Sequence, residues 1–471
     1  MFFHSLSSLL IFLPFIFTSY PLIKNFNSTF GNFYLLLFSL FFYTYDIPWF
    51  VIPLLFSAIC DYFISKKLIG EINTENNKRL ILLIFSILIN IGLLIIFKYS
   101  KMIISTFNLE SSPYISDQIQ SIIIPVGISF YTFQTLSFSI DAFNKKIKFM
   151  PSFCDYLLYV SYFPQLVAGP ILRPYDFFDK RSKLKLSENS SDIKNGFTRI
   201  CYGLFLKLCL ADEIGALNDL AYSSDFYTLS FLDAWTMAFG FGIQIYFDFS
   251  AYSHMAIGIS KIIGLPIREN FKFPYLSLSS TEFWRRWHIS LSSWVSDYLY
   301  DLLNRKLPKI FYGFIPLLMT WAIMGIWHGS SWKFAVWGLL NGLFVLIHRI
   351  FKNLNWDIKK VFNLRIISGS LTLFCTMSTW IFFRSDSWGQ ASYLYKSLFK
   401  INSFNLGLKE NYYLIVFIFS FGILISGLIF HSNYFKNIVN NIYIRFFSST
   451  LALSIAIIFL NRQNTFIYFQ F

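Results

Sequence analysis

The chain has 471 residues, 55% of them apolar and only 14% charged, with 59 phenylalanines. A water-soluble domain has about 45–50% apolar and about 25% charged residues, so this composition excludes an ordinary soluble enzyme or scaffold. The formal charge of +14 does not point to nucleic acid. The basic residues sit in short loops between apolar runs, as in membrane proteins, and no basic tail or basic, aromatic-studded face remains for a nucleic-acid site.

About 20 residues at 1.5 Å each cross the hydrocarbon layer of a bilayer. Runs of that order predict spans near 7–24, 30–45, 47–65, 80–99, 122–143, 153–170, 197–214, 231–262, 311–327, 333–350, 366–383, 412–430 and 445–461. Several are short or interrupted by Pro and Gly, so about eleven full crossings are expected, with re-entrant and interfacial helices making up the rest. The chain reads as an all-α, polytopic integral membrane protein with a single membrane domain over 1–471. The first run has no basic residue before it and no clear small-residue cleavage site, so 7–24 reads as a retained span.

Loop 66–79 begins and ends with basic residues, whereas 108–119 holds acids and no Lys or Arg. The positive-inside bias puts the first in the cytoplasm, the second outside, and the N-terminus outside. NKKIK at 144–148 is then inside, as is the basic stretch 172–195. For both to be inside, 153–170 must enter and return on one side. Its Pro164, Gly169 and Pro170 suit that, because helix breakers at depth need protein or a cavity to satisfy the freed backbone groups. Cys60, Cys154, Cys201, Cys209 and Cys375 form no C-x-x-C pair and have no His at ligand spacing, so neither disulfide frame nor metal site is indicated. There is no internal repeat of the kind inverted-repeat transporters carry.

Chemistry concentrates between 240 and 350. The run GFGIQIYFDFSAYSHMAIGISKIIG (240–264) buries Gln244, Asp248, Ser250, Ser253 and His254 among apolar residues. Such groups usually face a bundle interior, either as a structural network or as a site. FWRRWH (283–288) sets Arg285 and Arg286 between aromatics, directly before an amphipathic run. That fits a helix lying in the membrane interface and also a cationic rim for phosphates; the two are compatible. His328 ends the apolar run FYGFIPLLMTWAIMGIW and is followed by Gly329. Its bland reading is a buried imidazole bonded between helices. Its functional reading is a neutral general base acting on a hydroxyl, with Gly329 leaving room for a carbonyl. No G-x-S-x-G elbow, H-E-x-x-H helix or Walker loop occurs.

YFDFSAYSHMAIG, ENFKFPY, TEFWRRWHISLSSW, DYLY and GIWHG, in this order, together with IPVGISFYTFQTLSFSIDAF (124–143) and FPQLVAGPILRPYDF (163–177), resemble the signature of the membrane-bound O-acyltransferases. The likeness is to the polysaccharide-modifying branch that includes alginate O-acetyltransferase and, as a cousin, the teichoic acid D-alanyl transfer protein. The acyltransferase-like region is 1–384, with less characteristic membrane helices over 385–471. The chain departs from the family at His254, where Asp is usual, at Ala251 for Gly, at Ser296 for Arg and at Asn341 for His.

The resemblance implies a ring of spans and re-entrant helices around a thin central region open to both faces. It implies His328 as the catalytic histidine and His288 as a second one. It implies transfer of an acyl group, most simply acetyl, from a cytoplasmic thioester such as acetyl-CoA to a hydroxyl of an exported polysaccharide or its carrier, in the cytoplasmic (inner) membrane. Arg285, Arg286, Arg268 and Lys272 are then expected to meet donor phosphates, and Asp248, Trp327 and Asn270 complete the substrate-binding set. No bound cofactor or metal is expected. The expected partners are the lipid bilayer, the thioester donor and a separate periplasmic or surface SGNH-type acetyltransferase. D-alanyl transfer to teichoic-type polymers, and a transporter or flippase of an acylated intermediate, are the alternatives.

Overall fold

The computed structural model describes residues 3–70, 76–107, 121–181, 190–306, 313–353, 362–401, 405–431, 441–460 and 466–467, and all regular structure among them is helical. The loop 108–119 and parts of 66–79 and 172–195, whose charges carry the topology reading, lie outside the described residues. Among the described residues, six helices are long and apolar enough to cross a membrane: Ser8–Phe26, Pro48–Gly70, Asn76–Thr106, Trp332–Lys352, Leu364–Arg384 and Glu410–Ile429. Ile315–His328 and Tyr443–Ile458 are apolar but shorter. The other predicted runs are also helical, in modified form. The helix at 30–45 is Ser28–Thr44, 17 residues long. The run at 122–143 becomes helical only at Ile128, after Gly127 at φ 78°. The run at 197–214 winds through a π-helical turn, Leu206–Ala211, between Ser190–Phe205 and Asp212–Tyr222.

The chain folds as two compact units, Met1–Ile200 with Tyr252–Arg268, and Cys201–Ala251 with Glu269–Phe471. Two of the seams fall inside helices, Ser190–Phe205 and Phe231–Ile263, so no linker composition marks them.

In the first unit, Phe153–Ser161 stops at Tyr162 (ψ 109°), a single turn Phe163–Leu166 follows, and residues 161–170 are all buried. Pro164 cannot donate a helical hydrogen bond, and the groups released by the break are met by side chains. The Phe163 amide donates to Ser39 Oγ at 3.2 Å, the Leu172 amide to Gln165 Oε1 at 3.3 Å, and Gln134 Nε2 and Gln165 Nε2 donate to the Tyr159 carbonyl at 3.0 and 3.3 Å. Protein thus satisfies this interrupted segment at depth, as burial demands. The same unit buries Asp61, which accepts from Ser86 Oγ, from Asn90 Nδ2 at 2.5 Å and from Ser139 Oγ at 3.2 Å.

In the second unit, Ile315–His328 and Trp332–Asn353 form a tight helical hairpin. A Cβ on Gly325 would lie 2.1 Å from the Phe334 carbonyl oxygen, and one on Gly338 would lie 2.1 Å from that of Trp321. Only paired glycines allow so close a crossing, and the crossing sets Trp337 beside His328.

Candidate active site

His328 is the last residue of its helix, 5% exposed, and enclosed by rings. Trp327, Trp337 and Phe383 stand edge-on to the imidazole with centroids at 4.9, 5.0 and 5.4 Å. Trp337 leads on to Trp380 at 5.7 Å and Trp380 to Trp287 at 5.2 Å. One aromatic wall therefore runs from His328 to the W-R-R-W-H motif, all within the second unit. Gly329 does not open a path for a carbonyl. The space beside its Cα is filled by the Phe334 ring, which a Cβ there would meet at 2.1 Å.

His288 is fully buried at 0% exposure and takes a left-handed backbone conformation, φ 43°. Two stretches of chain run alongside each other to hold it. The Lys272 amide donates to the Arg286 carbonyl at 2.9 Å, and the Ile289 amide to the Asn270 carbonyl at 2.9 Å. Asn270 Oδ1 accepts from the Ser290 amide at 3.2 Å and from Ser290 Oγ at 2.9 Å, and it lies 3.2 Å from His288 Nδ1. A backbone N–H can only donate, so the Asn270 atom facing it is the oxygen, and an oxygen can only accept. Nδ1 of His288 must carry the proton, and the lone pair resides on Nε2. Burial drives the imidazole pKa down to about 3, so the ring is neutral through the physiological range. Phe249 packs edge-on against it, centroids 4.6 Å apart.

The cationic residues separate into two kinds. Arg286 is paired with Glu282 at 2.7 Å, and Arg268 with Asp176 at 2.8 Å. Arg285 and Lys272 are exposed and make no ion pair among the described residues. These two lie on the paired stretches beside His288.

Asp248 is 3% exposed, and its carboxylate is engaged by protein. Lys207 Nζ lies 2.9 Å from Asp248 Oδ1 and 2.8 Å from Asp212 Oδ1, and the Ile467 amide donates to Asp248 Oδ2 at 2.7 Å. Reading the sequence missed Lys207 and Asp212. The available signal was a lysine inside the apolar run YGLFLKLCLA, which needs an acidic partner at depth. Asn341 is buried and donates to the Trp337 carbonyl at 2.8 Å and to Thr379 Oγ1 at 3.3 Å. Ser296 is exposed.

Such an arrangement offers two buried histidines in aromatic surroundings, one with a fixed tautomer, next to exposed cations. It suits proton abstraction from a hydroxyl in a dry site, with an anionic carrier held nearby. Residues 37–384 match the model of the membrane-bound O-acyltransferase family. A probable alginate O-acetylase of Azotobacter vinelandii is 33% identical over 75% of this chain and 70% of its own length. A peptidoglycan O-acetyltransferase of Helicobacter pylori is 31% identical over 84% and 79%. A teichoic acid D-alanyltransferase of Bacillus subtilis is 26% identical over 49% and 60%.

Proposed function

The chain belongs to the membrane-bound O-acyltransferase family, and from that premise we propose that it moves an acetyl group from a cytoplasmic thioester to a hydroxyl of an exported cell-surface polysaccharide or its carrier. The observation that carries the reading is His328, buried at a helix end among Trp327, Trp337 and Phe383 inside the matched region. A neutral imidazole there takes the hydroxyl proton as the oxygen attacks the thioester carbon. The C–O bond forms, the C–S bond breaks, and the departing thiolate receives the proton from His328. Arg285 and Lys272 hold the phosphates of a donor such as acetyl-CoA. Acetyl is favoured over D-alanyl because the two acetyl-transferring relatives quoted above match more of the chain, at higher identity, than the D-alanyl one.

About eleven crossings, from the apolar runs, an N-terminus outside, from the loop charges, and a cytoplasmic-membrane location, from the family, complete the reading. A secreted SGNH-type transferase is the proposed partner that passes the acetyl group to the polymer. The test is chemical. Cells carrying His328→Gln at normal protein level should lose base-labile acetyl esters from their surface polymer. Loss of D-alanyl esters with acetyl esters intact would overturn the choice of acyl group.

A further inference from the structure

Trp337 is 1% exposed, and its ring stands at 84° to the His328 imidazole with centroids 5.0 Å apart. Trp284, Trp380 and Phe383 enclose its other sides at 5.7, 5.7 and 5.3 Å. In so tight an enclosure the indole Nε1–H meets no hydrogen-bond acceptor among the described residues. Burying an N–H without a partner costs about 1–3 kcal/mol, and a buried tryptophan usually finds one. Trp380 Nε1 in the same wall is likewise without an acceptor among the described residues, but of the two only Trp337 stands in ring contact with His328. A polar donor held dry beside the proposed base is what acyl transfer needs.

We propose that the Trp337 indole N–H is an oxyanion donor, hydrogen-bonding the acyl carbonyl oxygen as it takes on negative charge. The inference rests on the acyl-transfer reading of His328. As the hydroxyl oxygen bonds to the carbonyl carbon, the C=O π electrons move to oxygen and the hydroxyl proton moves to His328. The Trp337 N–H donates to that oxygen until the C=O re-forms, the C–S bond breaks and the proton passes to sulfur. A reacting centre about 3 Å from the imidazole is within reach of a donor on a ring in direct contact with it. The surroundings exclude water, so a fixed donor acts there at full strength.

The experiment uses the purified full chain in lipid vesicles with acetyl-CoA as donor. Trp337→Phe removes the N–H and keeps an aromatic ring, and replacement by 3-benzothienylalanine exchanges only the N–H for sulfur. Losing one oxyanion donor lowers kcat by roughly 10²–10³-fold, with the KM for acetyl-CoA and the pH profile unchanged because an indole does not titrate. Phe383→Leu, which disturbs the same two rings without removing a donor, measures packing alone and should cost less. Near-normal kcat in the benzothienyl protein, or a loss no greater than that of Phe383→Leu, overturns the proposal. His328→Gln run in parallel separates the two claims. If it is inactive while the benzothienyl protein is active, only the oxyanion donor fails; if it is fully active, the base reading fails.

Discussion

At the scale of single residues, Asn270 decides what His288 can do. Its Oδ1 collects the Ser290 amide, the Ser290 hydroxyl and His288 Nδ1, leaving the basic lone pair on Nε2. Asn270→Ala strands those buried donors, each costing about 1–3 kcal/mol, so the thermal midpoint should fall sharply. Asn270→Asp keeps an acceptor and adds a negative charge, which favours the imidazolium. The pKa of His288 should then rise from about 3 toward neutrality. The neutral ring would be lost sooner as pH falls, and the acid limb of the pH–activity profile should move to higher pH. An unmoved limb would mean that His288 takes no part in the chemistry.

The burial of His328 and His288 was legible because imidazoles stand out within apolar and aromatic runs. The partners of Asp248 were not, since Lys207 approaches it across 41 positions of sequence and only tertiary packing joins them. Gly329 was misread because its missing side chain admits Phe334, a neighbour that only the hairpin turn brings there.

The element that matters most is the pair of chain stretches bonded through Asn270, Lys272, Arg286 and Ile289. Sequence shows ENFKFPY and FWRRWH as separate motifs, while their mutual pairing depends on backbone geometry that side-chain patterns do not encode. Sequence also treats Arg268, Arg285, Arg286 and Lys272 alike. The fold distinguishes them, because Asp176 and Glu282 neutralise the first and third. Arg285→Gln and Lys272→Gln should therefore each raise the KM for acetyl-CoA by several-fold, and Arg286→Gln should raise it less. The ordering is checked by initial-rate kinetics, and a larger effect at Arg286 would reverse the assignment. The broken helix at 153–166 was legible from Pro164, Gly169 and Pro170. Its satisfaction by Ser39 and Gln134 was not, as these come from other parts of the chain.

At the scale of the whole molecule, apolar runs located the helices well, yet among the described residues six meet span length and hydropathy by themselves. The remainder are shorter, as in Ser28–Thr44 and Ile315–His328, or carry a break or polar groups, and these features blur a count based on hydropathy. The division into two units was hidden for a related reason, since two seams lie within continuous helices. The charge pattern still makes a definite topological prediction. In a background freed of its five native cysteines, cysteines placed at Glu71 and Ser187 should resist an impermeant thiol reagent added to intact cells. Labelling at 187 would remove the re-entrant reading of 153–170 without touching the family. The central claim is that His328 is the base of an acyl transfer, and the most direct test is transfer of labelled acetyl from acetyl-CoA to a small hydroxyl acceptor, which needs no partner protein, by purified protein in vesicles. The account predicts a drop of roughly 10²–10⁴-fold for His328→Gln with the thermal midpoint preserved, whereas transfer within about threefold of the unaltered protein would contradict it.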